Sequence, residues 1–502
     1  MNNNTDLRRE VIPRWRDLKR TAILGELNSG TLHNHVLNEM PQISLEFKYL
    51  EWERNNSLSI AIDLINSAYA AGQFEYAIKP AKFIYENEIS VGEALNRIIL
   101  IILGKEKNEI KFDLDINLIR AEISDMKKKL NFNAKNAVSW LNLGRLYSAV
   151  GELKLAERAI NNALILSPNN RYIIRSAVNF FHQTKNYHNA LKIFKKAESL
   201  IYDPWLLSAE IATCGLINRT SENIRRGKTL LNSDKFSAFD TSELASSIAT
   251  QEISSGSNKK AKKLFAKSLV SPNENTLAQV AWMQEKKHIL NNVEIKSYNR
   301  IPYNFEAISK LNKMSHDWMS SLNYLSKWIK DQPFNLDAYI EGSYIASVGL
   351  ADYSQSINYA LGGLSLFKND FLLNNNLIFA YLKSDMLQEA TEVIGKLNEP
   401  DGDELRITYL ATLGLFSYKV GNIDEGRYLY DKSITLSKKY GNTYKTSLAS
   451  IYQAQEEIGI NDDMSNTIIT KALSFVEKSD IEKLDGVSVE LGRLKERLKD
   501  NM

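Results

Sequence analysis

The sequence predicts an all-α protein built as a superhelical solenoid of antiparallel helix pairs. Glycine (23) and proline (9) are scarce among the 502 residues, which favours helices joined by short loops over a strand-rich sandwich or barrel. Hydrophobic residues make up 44% and charged residues 25%, a balance typical of a folded chain and too apolar for a disordered one. A pattern of apolar and small residues also recurs about every 34 residues, which indicates a repeat array.

The clearest repeat runs from Ala137 to Asn170. In chain order its signature residues are Trp140, Leu143, Gly144, Tyr147, Gly151, Ala156, Ile160, Ala163 and Pro168. The first four lie on one stripe of a first helix, and the three from Ala156 form the inward stripe of a second helix. Gly151 and Pro168 are expected to end these helices. Gly144 and Ala156 are small, which predicts that the paired helices approach within roughly 8–10 Å.

This spacing resembles the unit of the tetratricopeptide repeat (TPR) family. The resemblance implies a right-handed superhelix in which the first helices of successive repeats line a concave face. The other repeats match mainly by spacing. Their predicted starts, with that of the clearest repeat, are near residues 58, 137, 171, 205, 242, 276, 302, 336, 371, 407 and 443.

Departures from this register predict boundaries along the chain, so the solenoid is expected to be kinked into two or three segments. The expected parts are a basic N-terminal helical extension (1–56), an N-terminal solenoid (57–284, irregular over 104–133), an irregular connection (285–303), a C-terminal solenoid (304–478) and a C-terminal capping helix (479–502). Pro13 is well placed to start a helix from Arg14 to about Asn28, because proline is favoured at the first helical position.

The net charge of +3 lies in the first 20 residues, where six basic side chains face three acidic ones, so the remaining 482 residues are neutral overall. Nucleic-acid affinity depends on clustered basic residues, and the body as a whole does not supply that excess. Two hypotheses therefore stay open for the N-terminal extension. Its predicted helix caps the solenoid, or Arg14, Arg16 and Arg20 dock an acidic partner or nucleic acid.

The sequence contains neither a phosphate-binding glycine loop nor an H-E-x-x-H motif, and no cofactor or metal is expected. His33 and His35 are interpreted as part of a surface loop. The spacing of Arg175 and His182 loosely resembles the R-x4-6-H motif of HEPN ribonucleases, where these residue types bind phosphate and transfer protons. The repeat register already explains the helix that carries both, so the protein is expected not to be an enzyme.

Cysteine and hydropathy patterns point to a cytoplasmic protein. The single cysteine, Cys214, excludes an intramolecular disulfide and a multi-cysteine zinc site, and it lies in an apolar stretch that predicts a packed thiol. One thiol also suits a reducing compartment. The longest purely apolar run, Ile98 to Leu103, is far shorter than the roughly 20 residues of a membrane span, and no membrane partner is expected.

The resemblance also implies where a partner binds, because ligands of this family usually contact repeat positions 2, 5, 9, 12 and 13. By register, these positions include Arg145, Tyr172, Arg175, Asn179, His182 and Gln183. Arginine, asparagine and glutamine can hydrogen-bond an extended peptide backbone or a terminal carboxylate. The alternative is that these side chains are simply solvated on an open face.

These observations favour a non-catalytic scaffold or regulatory adaptor that holds a protein or peptide in its groove. Two alternatives stay open. One is a nucleic-acid-associated helical-repeat protein or a regulatory subunit of a nuclease-type complex, and the other is a peptide-sensing regulator. The neutrality of residues 21–502 argues against the RNA-binding form. Fold alone does not choose among these, nor does it identify the partner or the oligomeric state.

Overall fold

A computed structural model describes residues 9–15, 41–104 (except 72, 73, 88, 90 and 92), 116–287 (except 234), 301–478 (except 461) and 485–500. These residues form 25 α-helices and, within the described ranges, no β-strand. The helices are α1 Pro41–Arg54, α2 Leu58–Ala71, α3 Ile78–Glu86, α4 Glu93–Ile102, α5 Ile116–Phe132, α6 Ala137–Ala149, α7 Leu153–Leu166, α8 Arg171–Gln183, α9 Tyr187–Lys196, α10 Pro204–Leu216, α11 Ile224–Leu231, α12 Ser242–Ser254, α13 Asn258–Ser268, α14 Glu274–Lys287, α15 Phe305–Met314, α16 Trp318–Asp331, α17 Leu336–Tyr344, α18 Tyr353–Leu366, α19 Phe371–Lys383, α20 Leu387–Ile394, α21 Asp403–Lys419, α22 Ile423–Lys439, α23 Thr443–Glu457, α24 Asp463–Lys478 and α25 Asp485–Asp500.

The helices pack in adjacent pairs, which confirms the predicted TPR-like solenoid. Well-defined pairs are α6 with α7, α12 with α13 and α21 with α22, and first helices such as α8 and α10 also pack on one another. The predicted repeat starts fall within four residues of the observed first helices. Several first helices begin at an asparagine or aspartate whose side chain accepts a hydrogen bond from the backbone of the first turn, as Asn136 and Asp370 do.

Small residues allow the two helices of a pair to come close together. A Cβ atom added at Gly144 in α6 would lie 2.9 Å from Ile160 Cγ1 in α7. At Gly414 in α21, it would lie 2.7 Å from the ring of Tyr430 in α22. Gly151, between α6 and α7, has a φ of +76°, the left-handed conformation expected where the first helix ends.

Helices α1 to α4 pack around a core of their own, which includes Trp52, Leu64, Ile65 and Ile99. Helix α5 follows and packs against α6. It lies inside the stretch 104–133 that fits no repeat register, so much of that stretch is a helix outside the 34-residue spacing.

Distant parts of the solenoid also contact one another. Gln183 at the end of α8 accepts a hydrogen bond from the backbone N–H of Leu336 at 3.0 Å. Lys185 Nζ lies 2.8 Å from Asp370 Oδ2. One continuous buried cluster joins the helices of residues 123–209 with those of residues 318–373. The repeat array therefore closes on itself between α8 and α17.

The final helix, α25, packs one face on the preceding repeat. Val487, Leu491 and Leu494 lie in a buried cluster with residues of α23 and α24. Arg493 on this helix donates hydrogen bonds to the carbonyls of Val348 (2.7 Å) and Gly349 (3.2 Å), at the end of the π-helical turn after α17.

The beginning of the chain differs from the predicted N-terminal helix. Residues 9–15 have no regular secondary structure, so the helix expected from Arg14 does not begin there. Side chains of the solenoid bond to the main-chain carbonyls of Ile12 and Pro13, which a helix would use internally. The rest of the predicted helix, with Arg16 and Arg20, lies outside the described residues, as do His33 and His35.

Within the described ranges, every helix is too short or too polar to cross a bilayer.

Candidate functional site

Residues 9–15, named here the N-terminal segment, lie along the first helices α8, α10, α12, α14 and α15, whose shared surface is named here the groove. Three amide side chains of the groove donate hydrogen bonds to main-chain carbonyls of the segment. Asn179 reaches Pro13 O at 2.6 Å, Asn275 reaches Ile12 O at 2.7 Å, and Gln279 reaches Arg9 O at 2.9 Å. Because these contacts are made to the backbone, they hold an extended chain whatever its sequence.

Both arginines of the segment converge on one carboxylate, that of Glu306 in α15. Arg9 Nε lies 2.7 Å from Glu306 Oε1, and Arg14 bonds to the other carboxylate oxygen. Arg9 also donates to the amide oxygens of Gln279 (2.6 Å) and Asn275 (2.8 Å). Burial raises the pKa of Glu306, but the charges of Arg9 and Arg14 outweigh it and hold this pKa well below the usual range of a carboxyl.

Apolar contacts fix the other side of the segment. Val11 and Trp15 are fully buried. The Trp15 ring meets Phe334 edge-on, with 5.1 Å between ring centroids, and Arg14 lies over the Trp328 ring at 6.0 Å. Trp15 belongs to the buried cluster that joins the two distant parts of the solenoid.

A glycine makes room for the second residue of the segment. Glu10 is fully buried against Gly215, near the end of α10. A Cβ atom at position 215 would lie 2.7 Å from the Glu10 carboxyl carbon and 2.8 Å from Nε2 of Gln251 in α12. The groove therefore admits the Glu10 side chain only because residue 215 has none.

Neighbouring polar groups orient the amides of the groove. Glu243 in α12 accepts hydrogen bonds from Asn273 (2.8 Å) and Asn275 (3.2 Å), and Gln279 also donates to Thr250 at 2.9 Å. Networks of this kind fix side-chain direction, because an alternative rotamer leaves a buried polar atom without its partner.

The six groove residues predicted from the repeat register have different environments. Asn179 contacts the N-terminal segment. Arg175 instead donates to Glu243 at 2.9 Å and to the Trp205 carbonyl at 3.0 Å, and Gln183 bonds to Leu336 across the closure. Arg145 and Tyr172 are half-buried, and Tyr172 packs against the core.

His182 and Cys214 both lie in buried surroundings. His182 Nε2 is 2.8 Å from Thr213 Oγ1, and burial lowers the pKa of His182 to about 3. Burial, together with the adjacent Glu210 carboxylate, raises the pKa of the Cys214 thiol to about 12. The thiol therefore stays protonated, which makes it a poor nucleophile.

Sequence reasoning missed Asn275, Gln279 and Glu306. Asn275 and Glu306 each occupy the second position of their helix as observed, which is one of the positions from which partner contacts are expected. With the predicted start at 276, two residues after the observed start at 274, Asn275 fell outside the repeat. Glu306 is the fifth residue from the predicted start at 302, which is also a binding position, but the six predicted groove residues do not include it. A usable signal was the pair of amides four residues apart, Asn275 and Gln279, which lie on one face of the helix that forms α14.

Comparison with known proteins gives structural neighbours only: no family model and no curated protein matches this chain. It is similar to a chain of the APC/C hetero-tetramer Cut9–Hcn1 at 12% identity and a TM-score of 0.34, over 88% of this chain and 95% of that one. Yeast Tom70 has 15% identity and a TM-score of 0.34, over 88% and 96%. The structure of Naa15/Naa10 bound to HypK-THB has 13% and 0.24, over 88% and 92%. By its own repeat spacing and paired helices, the chain is a TPR-like solenoid protein.

Proposed function

We propose that this protein is a non-catalytic scaffold or regulatory adaptor that binds an extended segment of another protein in its groove. The observation that carries the proposal is the occupied groove itself. Asn179, Asn275 and Gln279 bond to three main-chain carbonyls of the N-terminal segment, which has no regular secondary structure. Amides aligned along a helical surface are suited to a polypeptide backbone, which presents a carbonyl at every residue.

The charge of the groove favours a polypeptide over a nucleic acid. Glu306 lies buried among the contacts to the segment, and its carboxylate would repel a phosphate backbone. Two of the basic residues at the N-terminus, Arg9 and Arg14, are paired with Glu306 and are thereby engaged within the molecule. This arrangement disfavours the nucleic-acid alternative for the groove.

Two candidate catalytic groups have environments that favour a structural role. Arg175 is held by Glu243, and His182 is a buried neutral imidazole bonded to Thr213. The protonated, buried Cys214 thiol is unsuited to attack a substrate. The proposal includes the cytoplasmic location expected from the sequence.

The test is to isolate the tagged full chain from cells that produce it and to analyse what accompanies it. Polypeptides are identified by mass spectrometry, and nucleic acid is measured by ultraviolet absorbance. We expect a polypeptide partner that is recovered with the wild type and lost with N275A/Q279A, because this variant removes two backbone-binding amides.

The matched control is K262A/K263A, which changes two exposed side chains on the second helix α13. It should retain the partner. Equal recovery with N275A/Q279A would contradict the proposal, as would tight, salt-sensitive nucleic acid with no polypeptide.

A further inference from the structure

We propose that the N-terminal segment is an internal, displaceable ligand of the groove. The external partner is then a protein segment of the same chemistry: two arginines on either side of a mainly apolar stretch, with an aromatic residue directly after the second arginine. This inference rests on the proposed function and adds to it the class of the partner and a mode of regulation. A partner binds by displacing residues 9–15, so the chain restrains its own binding activity.

The contacts of the segment have the character of ligand recognition. Three amides of the groove donate hydrogen bonds to the backbone of the segment, and Glu306 pairs with its arginines. Gly215 leaves the space that the Glu10 side chain occupies. Backbone, charge and pocket contacts together are how extended peptides are recognised by helical and sheet receptors. An external segment with the same groups could make the same contacts to the groove.

Charge specifies the partner more narrowly than the backbone contacts do. Glu306 receives two guanidinium groups from residues five apart, Arg9 and Arg14. A partner with acidic residues at the two arginine positions would meet like charges here.

The aromatic end of the segment sets the second requirement. Trp15 fills a space beside Phe334, and Arg14 covers Trp328. Buried aromatic anchors contribute a large share of binding energy at protein interfaces. The partner is therefore expected to carry an aromatic residue directly after its second arginine.

The tether makes the internal ligand an effective competitor. Twenty-five residues (16–40) connect Trp15 to α1, which begins at Pro41. Because the segment and the groove belong to one chain, binding of the segment is intramolecular, and an external segment has to compete with it. The apparent affinity of an external segment is its intrinsic affinity multiplied by the fraction of molecules in which the groove is open.

The test uses the full chain and a fluorescent synthetic peptide with the sequence of residues 6–18, measured by fluorescence anisotropy. In R9E/R14E, two carboxylates replace the guanidinium groups opposite Glu306, which should release the internal segment. We expect this variant to bind the peptide at least about tenfold more tightly than the wild type. The control K262E/K263E makes the same charge change on the exposed face of α13 and should bind like the wild type.

The outcomes separate the two proposals. Equal binding by the wild type and R9E/R14E would overturn the internal ligand while leaving a peptide-binding groove. Absence of binding in both would overturn the internal ligand and its partner class, while the proposed function would still be decided by recovery of a polypeptide with the wild type and N275A/Q279A. If R9E/R14E unfolds at a much lower temperature and gains no binding, the segment is a structural part of the core and the inference is wrong.

A measurement on the wild type keeps the test independent of that variant. Hydrogen exchange of residues 9–15 is followed by mass spectrometry, with and without excess peptide carrying an isotopic label that distinguishes it from the chain. Displacement predicts faster exchange of the chain's own segment when peptide is present. Binding without any change in that exchange would place the peptide elsewhere and overturn the inference.

Charge reversal then tests the specificity. The E306R variant of the full chain should lose affinity for the original peptide and gain affinity for a peptide carrying glutamate in place of both arginines. If E306R does not bind the glutamate peptide, and E306R binds the original peptide as the unsubstituted chain does, then Glu306 is not the group that recognises the charge of the partner.

Discussion

Single buried polar side chains in the first helices link the stability of the protein to pH. Burial lowers the pKa of His182 from 6.5 to about 3. The unfolded chain takes up this proton below its ordinary pKa, whereas the folded protein does so only near the lowered value. Acidification across this interval therefore favours the unfolded state, and the stabilising contribution is fully present only above the ordinary pKa.

We expect the H182N variant to lose this part of the pH dependence. Between pH 6.5 and pH 5, the titration of His182 should lower the free energy of unfolding of the wild type by about 2 kcal/mol. Urea denaturation at several pH values measures the difference in slope between the two proteins. Since His188 is exposed on α9, H188N is the control and should keep the wild-type slope. A wild-type slope in H182N would mean that His182 is not the group involved.

At the scale of the helix pair, glycines set the distance between helices. A Cβ atom at Gly342 in α17 would lie 2.6 Å from Cε1 of Tyr359 in α18, and Tyr359 is fully buried. Two repeats further along the chain, Gly414 in α21 has the same relation to the ring of Tyr430 in α22. A tyrosine ring of the second helix thus packs directly on the backbone of the first, which is closer than any side chain would permit.

The G342A variant should therefore be destabilised. Overpacking of this kind costs about 1–3 kcal/mol, even though alanine favours the helix by about 1 kcal/mol over glycine. Thermal and urea unfolding measure the change. For comparison, G492A alters a glycine of α25 with no neighbouring atom within 4 Å, and should stabilise by roughly 0.5–1 kcal/mol. Equal changes in the free energy of unfolding for G342A and G492A would show that the Tyr359 ring moves aside without destabilising the protein.

At the scale of the whole molecule, the repeat array is closed by contacts between distant repeats. Gln183 bonds to the backbone of Leu336, and Lys185 pairs with Asp370. Trp15 of the N-terminal segment packs against Phe334, two residues before Leu336. In a linear solenoid, each repeat is stabilised only by contacts with its neighbours. Closure adds contacts between repeats that are far apart in the chain, so the stabilities of those repeats depend on one another.

Q183A should weaken this closure. The buried N–H of Leu336 loses its acceptor, at a cost of about 1–3 kcal/mol in the free energy of unfolding. We also expect a larger radius of gyration by small-angle X-ray scattering. The control is Q355A, since the Gln355 amide bonds locally to Asp352. An unchanged radius together with unchanged stability would indicate that the closure does not depend on this bond.

The sequence by itself determined the repeating part of the structure. Residues three, four and seven apart decide which face of a helix is buried, and a glycine or proline decides where it ends, so Gly144, Gly151 and Ala156 were enough to predict a helix pair. These interactions act within about one repeat. The groove could be located in part by the same means, because Asn179 follows from the register of the best-matching repeat.

The tertiary structure alone decided what the groove contains. Glu306 and Arg9 lie 297 positions apart, and nothing in the local sequence around either residue predicts that they form an ion pair. A proline before a polar, arginine-rich stretch predicts a helix as a local signal, yet the groove offers the carbonyls of Ile12 and Pro13 better-placed donors than a helix start would. Contacts that depend on how the array curves and closes cannot be obtained from local spacing, since the curvature is a sum of small rotations over all the repeats.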